Sequence, residues 1–180
     1  MEAIISGFNQ VVIKGRQPLI LCDIDETLLR WDKSLEDIYN SYKMLHSHLG
    51  QSNLETLAEN YYSIYRNKTP AIPTDLSGFK ALMTRLGNGK MMFLTARTAS
   101  YHTRDDLNNI GLQNYMFDIH FTANKIPKGE YIKKYIDLSR YDDIIFIDDN
   151  PDYINSVLVN NPNVRCYLFD YSMRILSPLL

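Results

Sequence analysis

Ile144-Ile145-Phe146-Ile147 runs without a polar break, and the acidic turn Asp148-Asp149-Asn150 follows at once. Four consecutive β-branched or aromatic residues suit a strand covered on both faces, as in the middle of a parallel sheet. Four further strand-like runs accompany it: Leu19–Cys22, Met91–Leu94, Asp118–Phe121 and Val164–Phe169. Helical patterns lie between them. Asp75–Leu86 is closed by Gly87-Asn88-Gly89, and Ser100–Ile110 has Gly111 just past its end. Lys128–Leu138 places Tyr131, Ile132, Tyr135 and Ile136 at helical spacing, and Pro151–Val159 follows Asn150 as cap with Pro151 at the first helical position. Strand alternating with helix predicts an α/β three-layer sandwich, a Rossmann-like doubly wound parallel sheet of about five strands.

One stretch breaks this rhythm. Between Leu28 and Pro73 the sequence offers two helical patterns and no convincing strand. Leu35, Ile38, Tyr42 and Leu45 trace one apolar stripe; Leu54, Leu57, Tyr61, Ile64 and Tyr65 trace another. The breaker Thr69-Pro70-Ala71-Ile72-Pro73 ends the segment. The expected organisation is an α/β core formed by 1–29 and 74–180, with a small helical cap, 30–73, inserted after the first strand. The chain's 180 residues suffice for one domain with such an insert.

A net charge of -2 with 45% apolar residues and no basic run counts against a nucleic-acid partner, so acidic ligands must meet local charges. Cys22 and Cys166 each fall in a strand-like run and read as buried thiols, too few for a disulfide framework or a metal cluster. Met1–Gly15 lacks the pattern of a signal peptide, and no apolar run reaches membrane-spanning length. A cytoplasmic protein without membrane contact is the expectation. Oligomeric state is open.

In an open α/β sheet, ligands gather where strands end. The first strand is followed by Asp23 and Asp25, the second ends on Thr95, and the fourth is followed by Asp148 and Asp149. The loop after the third strand reaches Lys128. Carboxylates after an apolar run are costly unless they are paired or bind a cation. Oxygen ligands suit Mg²⁺, while Lys, hydroxyl and backbone N–H suit phosphate. Asp142 and Asp143 sit at the opposite end of the fourth strand and read as solvated surface charges.

Each of these residues has a plainer reading. Asp23 and Asp25 also fit a solvated turn, Thr95 a cap on the next helix, and Lys128 one surface lysine among Lys125, Lys133 and Lys134. His46 and His48, two apart, would not share a helix face, which argues against zinc. His102 and His120 read as surface or packing residues. The insertion tyrosines Tyr39, Tyr42, Tyr61, Tyr62 and Tyr65 read as core and interface, and Trp31 as packing or the rim of a site.

Taken in order, Asp23-x-Asp25-x-Thr27, Phe93-Leu94-Thr95, Lys128-Gly129 and Ile147-Asp148-Asp149 resemble the motifs of the haloacid dehalogenase-like hydrolases. The order of acidic residues, Thr and Lys in response-regulator receiver domains does not match. The resemblance implies that Asp23 attacks phosphorus to form an aspartyl-phosphate and that Asp25 acts as acid and base. It implies phosphate held by Thr95, by backbone N–H groups including Ala96, and by Lys128. It implies Mg²⁺ bound by Asp23, Asp148 and the backbone carbonyl of Asp25, with Asp149 as further ligand or water-orienter and Asp152 as competing candidate. Arg97 resembles an Arg that reaches substrate oxygen in several branches, or else caps a helix. Asp-Ile-Asp-Glu-Thr is similar to the acid-phosphatase branch. The implied activity is hydrolysis of a small phosphomonoester; a phosphotransferase or mutase, or an idle regulatory module, are alternatives. The insertion lies where this family carries its cap, and a short lid implies a fairly open site.

Overall fold

The structure, a computed structural model, describes residues 1–98 and 102–173. Its first half contains β1 (Ala3–Ile5), β2 (Pro18–Cys22), β3 (Leu29–Arg30), α1 (Leu35–Leu45), α2 (Gln51–Lys68), β4 (Ile72–Pro73) and α3 (Leu76–Leu86). The second half contains β5 (Lys90–Thr95), α4 (Thr103–Leu107), β6 (Asp118–Phe121), α5 (Lys128–Tyr135), β7 (Asp143–Asp148), α6 (Pro151–Asn160) and β8 (Arg165–Phe169).

Six strands form one parallel sheet in the order β1-β8-β7-β2-β5-β6. All five expected strands are present. β1 is an addition: three residues at the sheet edge, too short to announce themselves by periodicity, pair Ala3 with Tyr167.

Residues of opposite parity on one strand enter two different cores. Ile20 and Cys22 of β2 join Met91, Phe93, Ile145 and Ile147 beneath Phe79 and Leu82 of α3. Leu19 and Leu21 join Met92, Leu94 and Phe146 beneath Ile132 of α5 and Ile154 and Val157 of α6. Every residue of β2 is buried, so the strand is sandwiched between helical layers. Full burial of each such aliphatic side chain contributes about 1.5–3 kcal/mol. Cys22 and Cys166 are buried free thiols within these cores.

Local capping agrees with the sequence. Asp75 accepts from Gly78 N at the start of α3, and Asn150 accepts from Asp152 N ahead of Pro151 in α6. Of the helix expected from Ser100, the beginning lies outside the described residues. The described part, Thr103–Leu107, runs into a π turn in which Gly111 adopts φ 84. Among the described residues, no helix is long and apolar enough to cross a membrane.

The insertion differs from expectation in two ways. Leu29–Arg30 and Ile72–Pro73 pair antiparallel, forming a two-stranded stem at its base. Four residues per pair carry no period that a sequence could show. The buried face of α2 is also not the expected stripe: Leu54 and Ala58 are buried, whereas Leu57, Tyr61 and Ile64 are exposed. In α1 Ile38 is buried, and Leu35 and Leu45 face outward. Leu54, Ala58, Tyr62 and Arg66 recur every four residues, so one side of α2 carries both the α1 contact and the residues that meet the core domain.

Aspartate 143 corrects another expectation. It is buried and bridges Arg165 at 2.8 Å, and it accepts from the backbone N–H groups of Lys14 and Gly15. Asp142 is exposed and accepts from Arg16 and Gln17 N–H. The acidic pair at the amino end of β7 therefore ties down the loop that feeds β2.

Candidate active site

The central order β7-β2-β5 sets three strand ends side by side. Cys22 lies opposite both Ile147 and Phe93, so Asp23, Asp148 and Thr95 emerge along one rim. Asp23 N donates to Ile147 O at 2.9 Å, extending the pairing one residue beyond β2 and fixing where its side chain begins.

Lysine 128 opens α5 and reaches into this rim. Its Nζ lies 2.5 Å from Asp23 Oδ1 and 2.7 Å from Asp148 Oδ2, with 1% of its side chain exposed. The plain reading of Lys128 as a surface lysine is wrong; Lys125, Lys133 and Lys134 are the exposed ones. Gly129 explains the approach. A Cβ there would lie 2.0 Å from the backbone oxygen of Ser156, so only glycine lets α5 settle against α6. Asn161 donates to Gly129 O at 2.8 Å and holds the two helices in that contact.

Oxygens of Asp23, Asp148 and Asp149 lie within 4.8 Å of one another. Burial pushes the Asp23 and Asp148 carboxyls up, against the opposing pull of Lys128. Burial likewise pushes Asp149 up to about 7, with Asp23 adding to the rise. Burial pulls Lys128 down, yet Asp23 and Asp148 more than reverse it and leave the ammonium held firmly charged. Three carboxylates against one ammonium leave a surplus of negative charge that matches a divalent cation, and an all-oxygen donor set suits Mg²⁺. Asp152 is exposed and outside this group; its N–H caps on Asn150 instead.

Thr27 has a role that its position in the motif did not reveal. Its hydroxyl donates to Asp149 Oδ1 and accepts from Asp149 N, both at 3.0 Å, orienting Asp149 from the first motif. Thr95 is buried; its Oγ1 accepts from Arg97 N at 3.2 Å and keeps its own proton for a further acceptor. Ala96 is half-buried beside it.

Asp25 does not turn its carboxylate toward the acidic group. Arg97 grips it with Nε 2.9 Å from Oδ2 and Nη2 2.7 Å from Oδ1. Arg97 itself is anchored through Nη1 to Asp106 at 2.6 Å and to Thr103 Oγ1 at 3.2 Å. Arg97 is therefore buried and bonded to Asp25, Asp106 and Thr103 together. As a metal ligand Asp25 has only its backbone carbonyl to offer.

The insertion also reaches the site. Arg66 of α2 places Nη2 2.5 Å from Asp25 Oδ1, and its guanidinium stacks 4.2 Å from the centre of the Trp31 ring. Tyr62 donates to Glu26 Oε1 at 3.0 Å, and Tyr65 donates to Asp32. Glu26 sits at φ 59, a left-handed conformation that costs a non-glycine residue about 1–2 kcal/mol. Trp31 is buried, its Nε1 donating to Thr69 O at 3.1 Å. The insertion is thus bonded to the first-motif loop through Arg66 and Tyr62. Arg66 and Asp106 carry no signal in the sequence, while Thr27 is marked there only as part of the first motif and Tyr62 only as a core or interface residue. Arg66 and Asp25 are 41 residues apart, and nothing local marks such a pair.

No protein-family model and no curated protein matches the chain. Solved structures do. A candidate beta-phosphoglucomutase from Thermotoga maritima is 12% identical with a TM-score of 0.53, covering 91% of this chain and 100% of that one. A hydrolase from Streptococcus pneumoniae is 12% identical, TM-score 0.52, covering 89% and 97%. A HAD-superfamily hydrolase of subfamily IA from Geobacter sulfurreducens is 13% identical, TM-score 0.53, covering 92% and 98%. This chain has the haloacid dehalogenase-like fold.

Proposed function

We propose that this protein is a Mg²⁺-dependent phosphomonoester hydrolase working through a phospho-Asp23 intermediate. The observation that carries the reading is the convergence of Lys128 on Asp23 and Asp148, with Asp149 completing the acidic group. The haloacid dehalogenase-like fold and the order of the four motifs support it.

In the first half-reaction an Asp23 oxygen attacks phosphorus, the ester P–O bond breaks, and the departing oxygen takes a proton from Asp25. In the second, Asp25 takes a proton from water as that water attacks phosphorus, and the P–O bond to Asp23 breaks to release phosphate. Thr95 and the neighbouring backbone N–H groups, with Ala96 among them, hold phosphoryl oxygens. Lys128 balances their charge as it shifts. Mg²⁺ held by Asp23, Asp148, Asp149 and the Asp25 backbone carbonyl would neutralise the incoming phosphoryl group against these carboxylates.

The deciding measurement is hydrolysis of an aryl phosphate by Asp23→Asn. The variant retains its circular dichroism and thermal transition and loses turnover by roughly 10³-fold or more. Near-normal turnover would end the proposal.

Phosphoryl transfer to an alcohol is the second reading, and the bonded insertion favours it. Asp23 is 5% exposed, and the insertion is bonded to the neighbouring Asp25 and Glu26, an arrangement that would limit the access of water to an aspartyl-phosphate. Product analysis in the presence of a competing alcohol separates transfer from hydrolysis.

A further inference from the structure

The contact between Arg66 and Asp25 has a chemical consequence. Oδ1 of Asp25 receives Arg66 Nη2 at 2.5 Å, Arg97 Nη2 at 2.7 Å and Arg97 Nε at 3.2 Å. Oδ2 receives Arg97 Nε at 2.9 Å. An oxygen whose lone pairs already serve two guanidinium groups has no room for the oxygen of a departing alcohol. Oδ2 accepts only the one bond from Arg97 Nε; for Asp25 to act on a substrate through Oδ1, the oxygen that Arg66 holds, one arginine must withdraw.

Arg97 is the fixed one. Its side chain is 3% exposed and is tied at its other end to Asp106 and Thr103. Arg66 is more exposed, at 17%, and belongs to the inserted helix. It rests on the Trp31 ring and lies 5.5 Å from the Tyr62 ring, contacts that keep it at the rim whichever anion it faces. A half-buried guanidinium that leaves a carboxylate needs another anion in its place.

We infer that Arg66 is a specificity residue: it releases Asp25 when a second anionic group on the substrate's leaving portion, a carboxylate or another phosphate, takes its place as counter-charge. The substrate class is then a phosphomonoester carrying an additional negative group near the ester. Arg97 stays on Asp25 throughout and holds its orientation. The inference rests on the phosphatase reading above. Glu59, which lines the same recess as Arg66 and Tyr62, is the rival acceptor within the chain.

The test compares 3-phosphoglycerate with glycerol 3-phosphate, two esters of one carbon skeleton that differ in a carboxylate, using wild type, Arg66→Ala and Arg66→Lys with Mg²⁺. The wild type is expected to favour 3-phosphoglycerate at least tenfold in kcat/KM. Arg66→Ala erases that preference from both sides: KM for 3-phosphoglycerate rises, and kcat for glycerol 3-phosphate increases because Asp25 is freed. Arg66→Lys restores part of the preference. Equal losses on both esters would assign Arg66 a purely structural part and overturn the inference. A wild type indifferent to the carboxylate would overturn it too, pointing to release of Arg66 onto Glu59. In both cases the phosphatase reading stands; no turnover of either ester, or of an aryl phosphate, by any variant removes that reading along with this one.

Discussion

Lys128 Nζ stands between Asp23 Oδ1 and Asp148 Oδ2, 2.5 Å from one and 2.7 Å from the other, and bridges strands β2 and β7 at their carboxyl ends. In the proposed reaction the ammonium balances phosphoryl charge, and in the fold it keeps two buried carboxylates compatible. Removing it separates these roles. Lys128→Met leaves Asp23 and Asp148 facing each other without compensation, a change that costs about 3–5 kcal/mol for a broken buried pair. Urea unfolding in chelator should show that loss. Added Mg²⁺ should recover part of the stability but not the phosphatase activity.

Metal and pH act on the same carboxylates. Burial raises the Asp149 pKa to about 7, above its unfolded value, so the fold favours the protonated form. Its stabilising contribution is complete below the ordinary carboxylate range and is lost as pH rises through about 7. Metal-free protein should therefore show a falling Tm between about pH 4 and pH 8. Mg²⁺, which needs the ionised form, should flatten that slope and raise Tm at pH 8. At a hundredfold excess over Kd the gain is about 2.7 kcal/mol. Thermal melts across pH, with Mg²⁺ and with chelator, read both effects; a Tm that is flat with pH in chelator would contradict them.

Gly129 is a packing requirement with a functional result. A methyl group placed 2.0 Å from Ser156 O must push α5 off α6, and overpacking of this kind costs about 1–3 kcal/mol. Because Lys128 is the preceding residue, Gly129→Ala should lower kcat as well as stability. Ala substituted at the exposed neighbour Glu130 should do neither. Denaturant melts paired with steady-state kinetics give both numbers.

Glu26 stores strain that Tyr62 offsets. In wild type, Glu26→Gly removes the left-handed penalty but also the hydrogen bond from Tyr62, and the net change in stability should be within about 0.5 kcal/mol of zero. In a Tyr62→Phe background the bond is already gone, and the same substitution should stabilise by about 1 kcal/mol. A double-mutant cycle by urea denaturation measures the difference. Additive effects would show that Tyr62 does not hold Glu26.

The apolar runs and the residues that follow them were enough to place the sheet, its helical layers and the rim where Asp23, Thr95, Lys128 and Asp148 meet. Continuous β-branched runs can be buried only between two layers, and parallel strands bring their carboxyl ends to one side. That much is local pattern plus topology. That Asp149 and not Asp152 joins the acidic group needed the structure, where the Thr27 hydroxyl arrives from a strand end far away in the chain to hold it. So did the burial of Asp143 against Arg165, and the seating of Arg66 on Asp25 across 41 residues. Apolar runs marked the buried strands of the sheet, but the apolar stripe did not mark the buried face of α2. Which charged side chain pairs with which is a question of distances across the fold, and only the folded chain brings those groups within reach.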